Sequence, residues 1–418
     1  MPSSSPIRST NSDVLGRYYT RADISSFLVE QIDDHNPRRL LDLGAGAGSL
    51  SIAAACRWSD LEILTVDIDS GIASSYQEKL GRINFQDSRH LHIHADALSC
   101  ELPDLLDTIR NPIDTAVCNP PFLIPKWSKG FSEILEDTGF SHCLPLPSST
   151  DAAALFLAQN LRLLGDNSKL AIILPDSLVS SFKYSKFRQH LLTNYEVERV
   201  VQLPRGAFYG TDALASIFVI KKTKVVSEFL SIFKLGGDRS LSNRLVISKE
   251  HGFERLDYNF HYQRMRSRSS KLSITLSDAN VLVSRGSLST SQSKKIECPV
   301  FHTSDIGSEC YGQWVDLSHF ECPSDFPASS KLIMGAAGDI LIARVGRNLE
   351  AKVLGVSAGN VVLTDCIYRI RAPEAMRNEL LSALSSADGR QWLSSHAYGV
   401  AAKHLTKFDL LSFPLSFD

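Results

Sequence analysis

Four places in this 418-residue chain carry groups able to do chemistry, and each follows a short strand-like run. Gly44-Ala45-Gly46-Ala47-Gly48 comes directly after Leu40-Leu41-Asp42-Leu43. Glycines at alternate positions let the backbone approach a ligand closely, and a helix N-terminus behind them favours a carboxylate or phosphate. Asp67 ends the next run, Leu61 to Val66, 19 residues after Gly48. There a carboxylate can accept hydrogen bonds from ribose hydroxyls. Loop and acid together fit NAD or S-adenosylmethionine, and a tight strand-to-helix turn with no ligand is the alternative. Asp96, after Leu91 to His94, is placed either to accept from an adenine amine or to cap a helix.

Asn119-Pro120-Pro121-Phe122 follows the run Thr115 to Cys118 and is the most informative tetrapeptide. Two consecutive prolines fix the backbone and remove two N–H donors, so the turn offers acceptors without competing donors. The side-chain carbonyl of Asn119 and the main-chain carbonyl of Pro120 can converge on the two protons of an amino group, and Phe122 offers a flat face for a planar base. That suits methylation of an exocyclic amine, whose lone pair is delocalised into its ring. Two acceptors on its protons favour a more tetrahedral nitrogen and localise the pair toward a methyl donor, so positioning and electrostatics carry the reaction without an obvious general base. A rigid Pro-Pro turn with a packed Phe is the plain structural reading.

The elements that must position these groups alternate. Strands are predicted at 40–43, 61–66, 91–94, 115–118, 170–174, 197–202 and 216–221, with helices over 24–32, 49–56, 72–80, 152–164 and 184–192. Such repeated strand–helix units predict an α/β, Rossmann-like domain with a mainly parallel sheet. Residues 1–12, rich in Ser, Pro and Thr, read as a mobile tail, 13–250 as the first domain, and 251–270 as a linker, on the polar, basic run Arg264 to Lys271. Short β-like runs (340–342, 361–363, 367–370) and a helix near 379–393 predict a smaller α+β domain over 271–418.

The net charge of −2, from 44 Lys+Arg and 46 Asp+Glu, argues against a uniformly basic nucleic-acid binder. Residues 1–180 hold 14 basic and 23 acidic side chains, a net −9, which leaves 30 against 23, or +7, for the remainder. At 43% hydrophobic and 22% charged the composition is globular. Eight cysteines without a CxxC pair and no apolar leader predict a reduced, cytoplasmic protein, and no apolar run approaches a membrane span. Cys298, His302, Cys310 and Cys322 lack the paired spacing of a zinc site, so no metal is expected.

In the order of these motifs the chain resembles the gamma-class DNA adenine-N6 methyltransferases over nearly its whole length. The resemblance implies S-adenosyl-L-methionine as cofactor. It places Tyr19 and Thr20, within Gly16-Arg17-Tyr18-Tyr19-Thr20, at the methionine end. Asp42, Gly44 and Gly46 would form the glycine loop, Asp67 and Ile68 would contact ribose and adenine, Asp96 and Ala97 would continue the pocket, and Asn119 would serve both cofactor and catalysis. Asn119, Pro120, Pro121 and Phe122 would hold the target amine, with Phe208 packing on the flipped base opposite Phe122. Two departures stand out. Phe122 replaces the commoner Tyr, and Ala97 stands where an aromatic is often found, so one wall of the adenine pocket must come from elsewhere.

The carboxy-terminal part resembles the target-recognition domains of type I restriction specificity subunits, in Gly338-Asp339-Ile340-Leu341-Ile342 and in Gly399 to Leu410 followed by Phe413-Pro414. This implies double-stranded DNA as partner, base flipping, and a separate restriction endonuclease if one exists. Phosphate-contact candidates between 255 and 295 are Arg255, Arg264, Arg266, Arg268, Lys271, Arg285, Lys294 and Lys295; Arg344, Arg347, Lys403, His404 and Lys407 are further DNA candidates. Competing readings are a base-amine methyltransferase acting on RNA, a protein-glutamine methyltransferase, and a non-catalytic recognition subunit. A cytosine-C5 enzyme needs a nucleophilic Cys after Pro, whereas Cys118 precedes Asn119.

Overall fold

A computed structural model describes residues 20–33, 36–108, 111–268, 274–322, 332–399 and 402–415. Tyr19 and the tail 1–12 lie outside the described residues. The chain forms two compact units, residues 1–258 and 259–418.

The first unit is built on nine strands: β1 Arg39–Leu43, β2 Glu62–Asp67, β3 His90–His94, β4 Ile113–Cys118, β5 Leu164–Pro175, β6 Glu196–Gln202, β7 Ala215–Lys221, β8 Phe229–Lys234 and β9 Leu245–Ser248. They lie in the order β3-β2-β1-β4-β5-β7-β6-β8-β9. From β3 to β5 all pairings are parallel; β7 runs antiparallel to β5 and β6, β8 is parallel to β6, and β9 is antiparallel to β8. Leu40, Leu41 and Leu43 of β1 and Ile63, Leu64 and Val66 of β2 are wholly buried, as expected of central strands covered on both faces. This is an α/β, Rossmann-like fold with a mainly parallel sheet. The chain first winds outward from β1 to β3, then crosses to β4 on the other side of β1. Such a reversal opens a crevice between the loops that follow β1 and β4.

The structure extends the predicted pattern. β5 starts at Leu164, well before the apolar run at 170, and residues 222–254, unassigned by periodicity, hold β8, β9 and the helix Lys249–Glu254. The stretch 251–270, read as a linker, is largely helical: Lys249–Glu254 is followed by Tyr258–Arg268, with residues 269–270 outside the described ones. Upstream of the basic run that begins at Arg264, the segment is buried at Leu256, Tyr258 and Phe260. Arg255 is buried against Asp257, with bonds of 2.7 and 3.1 Å, so it is an internal ion pair and not a surface phosphate contact. Leu256 and Tyr258 join the core of the first unit. Buried Arg188 ties the same segment down, donating to the carbonyls of Leu178, Ser181, Phe253 and Glu254.

The second unit is α+β. Strands Leu282–Arg285, Ile367–Arg371, Asp339–Ala343, Val353–Ala358 and Trp314–Asp316 form one sheet in that order, and Val300–Phe301, Asn360–Leu363 and Met334–Ala336 form another. The helix expected near 379–393 is two helices, Arg377–Ser385 and Ala387–His396. The break is at Ser386, whose hydroxyl accepts from Gly389 N at 2.9 Å and caps the second helix. Cys298 and Cys322 are disulfide-bonded with Cα atoms 5.0 Å apart, contrary to the all-thiol expectation. His302, of the same zinc reading, instead pairs through Nδ1 with Thr364 Oγ1 at 3.1 Å. Among the described residues no cluster of His, Cys, Asp or Glu could hold a metal ion, and no helix is long and apolar enough to cross a membrane.

Charge does not follow the division at residue 180. Residues 1–258 hold 27 basic and 31 acidic side chains, a net −4, and residues 259–418 hold 17 and 15, a net +2.

Candidate functional site

A cavity of about 520 Å³ opens in the first unit where the loops after β1, β2, β3 and β4 converge. Thr20, Asp42, Gly44, Gly46, Asp67, Ile68, Asp96, Ala97, Asn119 and Pro121 all line it. Of the other candidates, Pro120 is buried, while Phe122 and Phe208 touch each other nearby.

The loop after β1 turns through left-handed glycines, with φ of +69° at Gly44, +51° at Gly46 and +77° at Gly48. Asp67 holds it in place, accepting from Gly46 N at 2.8 Å through one oxygen and from Asp69 N at 2.9 Å through the other. A carboxylate offers about four lone-pair directions, so these two bonds leave capacity for ligand hydroxyls. Behind the loop, Asp42 is buried and accepts from Ser51 Oγ. Burial pushes its carboxyl up to about 7, the nearby Asp67 charge adds to the rise, and the Ser51 hydrogen bond opposes it. Asp96 is exposed and accepts from Leu98 N at 2.9 Å, so it caps its turn while also standing on the cavity wall.

The wall that Ala97 does not provide comes from Leu98 and from two aromatic rings that sequence reasoning missed, Phe131 and Phe156. Phe156 lies on the helix Ala152–Leu163, which is buried over nearly its whole surface. A ring inside a helix buried on nearly every side carries little periodic signal, and only the fold shows that it faces the loop. A Cβ on Gly44 would sit 3.1 Å from Phe156 Cε1, which measures how closely ring and loop approach.

On the opposite side, Asn119 Nδ2 donates to Thr20 Oγ1 at 2.8 Å. Thr20 in turn forms a backbone bridge with Phe208, and the Phe122 and Phe208 rings meet edge to face at 5.8 Å and 81°. A planar base between two parallel rings needs roughly 7 Å, twice a van der Waals contact. Here Phe208 is buried and backs Phe122 instead of facing it across a slot. Cys118 is buried, donates to Leu43 O at 3.3 Å, and its thiol is pushed well above the ordinary range by burial, so it is no nucleophile.

Of the basic candidates in the second unit, Arg285 pairs with Asp365, Arg344 donates to Asp365 O at 2.6 Å, and Lys403 donates to Ser394 O at 2.8 Å. His404 is lowered by burial and by Arg344. Lys294 and Lys295 are exposed. Lys271 and the side chain of Arg268 lie outside the described residues.

Residues 8–253 match the model of the N-6 DNA Methylase family. The chain is 32% identical over 145 residues to the tRNA1(Val) (adenine(37)-N6)-methyltransferase of Flavobacterium psychrophilum, covering 34% of this chain and 55% of that protein. It is 26% identical over 259 residues to the type I restriction enzyme MpnII methylase subunit of Mycoplasma pneumoniae, covering 56% and 44%. The chain thus spans about half the length of these curated relatives. The structure of the type IIG restriction endonuclease BpuSI matches in fold with a TM-score of 0.51 at 14% identity, over 94% of this chain and 57% of that one.

The cavity fits a nucleoside-bearing sulfonium. Its glycine loop leaves a cradle that side chains would fill, carboxylates stand at the ends of β2 and β3, and Leu98, Phe131 and Phe156 give an apolar wall for a ring. The chain belongs to the N-6 DNA methylase family, and its cofactor is S-adenosyl-L-methionine.

Proposed function

We propose that the chain methylates the exocyclic N6 of adenine in duplex DNA, with the target base turned out of the helix, as the modification activity of a restriction-modification system. The observation that carries this reading is that the Asn119-Pro120-Pro121-Phe122 turn and the glycine loop with Asp67 contribute to a single cavity. Bound S-adenosyl-L-methionine supplies an electrophilic methyl group. Thr20, Asp42, Gly44, Gly46, Asp67, Ile68, Asp96, Ala97 and Asn119 hold it, with Tyr19 next to Thr20 in sequence. The Thr20 hydroxyl fixes the plane of the Asn119 carboxamide, whose oxygen accepts one amine proton while the Pro120 carbonyl accepts the other. Phe122 presents a face to the base and Phe208 supports Phe122. A base must leave the duplex to reach such a pocket.

In domain terms, residues 13–250 are the catalytic part and 271–418 the part that selects the DNA target. The relative from Mycoplasma pneumoniae is named as a subunit of a type I restriction enzyme, which supports duplex DNA and further restriction subunits as partners. A second reading, methylation of tRNA or rRNA adenine, is favoured by the tRNA1(Val) methyltransferase, which has the higher identity. That match covers only 34% of the chain, against 56% for the DNA-type relative.

Incubation with methyl-labelled S-adenosyl-L-methionine and either mixed-sequence duplex DNA or total tRNA and rRNA, followed by digestion to nucleosides, separates the readings. Label in N6-methyldeoxyadenosine is expected; label in RNA alone, or in cytosine, refutes the proposal. Asn119→Ala is expected to reduce transfer at least a hundredfold, roughly the loss of one preorganised hydrogen-bonding group, while DNA still binds. Unchanged turnover would refute its role.

A further inference from the structure

Three loops near the cavity expose apolar side chains among lysines and contain no Asp or Glu: residues 123–129, 140–150 and 181–186. Ile124, Leu146 and Phe182 are 52%, 75% and 83% exposed. Lys126, Lys129, Lys183 and Lys186 are exposed as well. The loops are stitched together. Ala152 N donates to Leu123 O at 2.8 Å, Asp151 N to the Tyr184 hydroxyl at 2.7 Å, and Lys183 Nζ to Ser149 O at 2.9 Å. Leu123, Lys126 and Ala152 also line the cavity, so the patch reaches its wall.

Phe182 opens the short 3-10 turn Phe182–Tyr184, whose last residue is fully buried. Its ring is therefore carried outward on an anchored turn. A large aromatic exposed this far adds nothing to the core, and an apolar patch of this kind marks a surface that binds. The first unit is net −4, so four exposed lysines beside one adjoining carboxylate, the half-buried Asp151 that accepts from Ser177, are a local reversal of charge. A polyanion whose monomers have flat apolar faces complements both features; a peptide would match only one.

We infer that this rim grips the DNA strand carrying the target adenine, with Phe182 stacking on a neighbouring base and the lysines facing phosphates. The inference rests on the proposed methylation of DNA at this cavity. Phe182 is a substrate-positioning residue, not a catalytic one.

The test uses the full chain, mixed-sequence duplex DNA and Phe182→Ala. Loss of one base–aromatic stack weakens binding by about fivefold to a hundredfold, so the DNA Kd and KM rise by that factor. KM for S-adenosyl-L-methionine and the melting temperature stay at the parent values, because no core contact is removed. Phe182→Trp restores affinity, and Lys129→Gln with Lys186→Gln lowers the salt-dependence slope by about 0.9 for each lysine. Parent-like DNA affinity in Phe182→Ala, with methyl transfer intact, overturns the rim. Absence of transfer to DNA by the unaltered protein overturns the functional reading instead.

Discussion

Gly48 is more tightly constrained than Gly44, and Gly48→Ala tests the geometry behind the cavity. Its φ of +77° is left-handed, which costs an alanine about 1–2 kcal/mol. An added Cβ would lie 2.0 Å from Tyr76 Cε2 and 2.5 Å from Cδ2, far inside contact distance. The ring has little room to yield: Tyr76 is 1% exposed and stacks on His90 with centroids 4.5 Å apart. Overpacking of this kind costs about 1–3 kcal/mol, for a total of about 2–5 kcal/mol. At Gly44 the same change meets Phe156 only at 3.1 Å, so Gly44→Ala carries mainly the backbone penalty of about 1–2 kcal/mol. Urea unfolding of the two variants, with Tyr76→Ala and the Gly48→Ala/Tyr76→Ala double variant to complete a cycle, measures the terms separately. The double variant should be more stable than the sum of the singles predicts, by about the 1–3 kcal/mol of the clash. Additive effects, or a Gly48→Ala no worse than Gly44→Ala, would refute the argument.

Two other predictions concern buried charge. Asp42 titrates near 7 in the fold against 3.8 as an ordinary carboxyl. Between these values the native state keeps a proton that the unfolded chain has released, so stability falls as pH rises from about 4 to 7, with a limiting slope of about 1.36 kcal/mol per pH unit. Asp42→Asn should flatten that dependence in cofactor-free protein, and an unchanged slope in urea unfolding between pH 5 and 8 would refute the assignment. Arg188 satisfies four carbonyls from two segments, 178–181 and 253–254, and burial lowers it to about 9. Arg188→Met should destabilise by about 3 kcal/mol or more, and Arg188→Lys should not rescue it, because one ammonium cannot span the four acceptors. Melting temperatures check both.

The parts of the site that sequence reading reaches share one property: their meaning is local. Gly44 to Gly48 after an apolar strand, an acid closing the next strand, and Asn before two prolines each declare a backbone geometry within a few residues. What it misses is made by distance in sequence. Phe131 and Phe156 become walls only because their helices fold over the β1 loop. Phe208 becomes a support for Phe122 only through its bridge to Thr20. Arg255 is misjudged for a different reason: its partner Asp257 is only two residues away, but that the pair is buried shows only in the fold. The Cys298–Cys322 disulfide spans 24 residues with no motif at either end. Charge was the weakest guide, because a tally cut at residue 180 divides the first unit in the middle of its sheet.

Strand order explains why local motifs nevertheless sum to one site. The glycine loop and the Asn119 turn are separated by two complete strand–helix excursions, yet β1 and β4 are adjacent and parallel, with Asp42 beside Val117. Both loops therefore leave the same edge of the sheet on neighbouring strands. Had the chain continued outward past β3, Asn119 would stand three strands from Gly44 and no common cavity would form. The reversal also leaves room for Thr20 to reach across, 99 residues before Asn119 in sequence and 2.8 Å from it in space. The glycine loop, Thr20 and the Asn119 turn are thus fixed to one another by topology, with the Thr20 hydroxyl accepting from the Asn119 carboxamide between them.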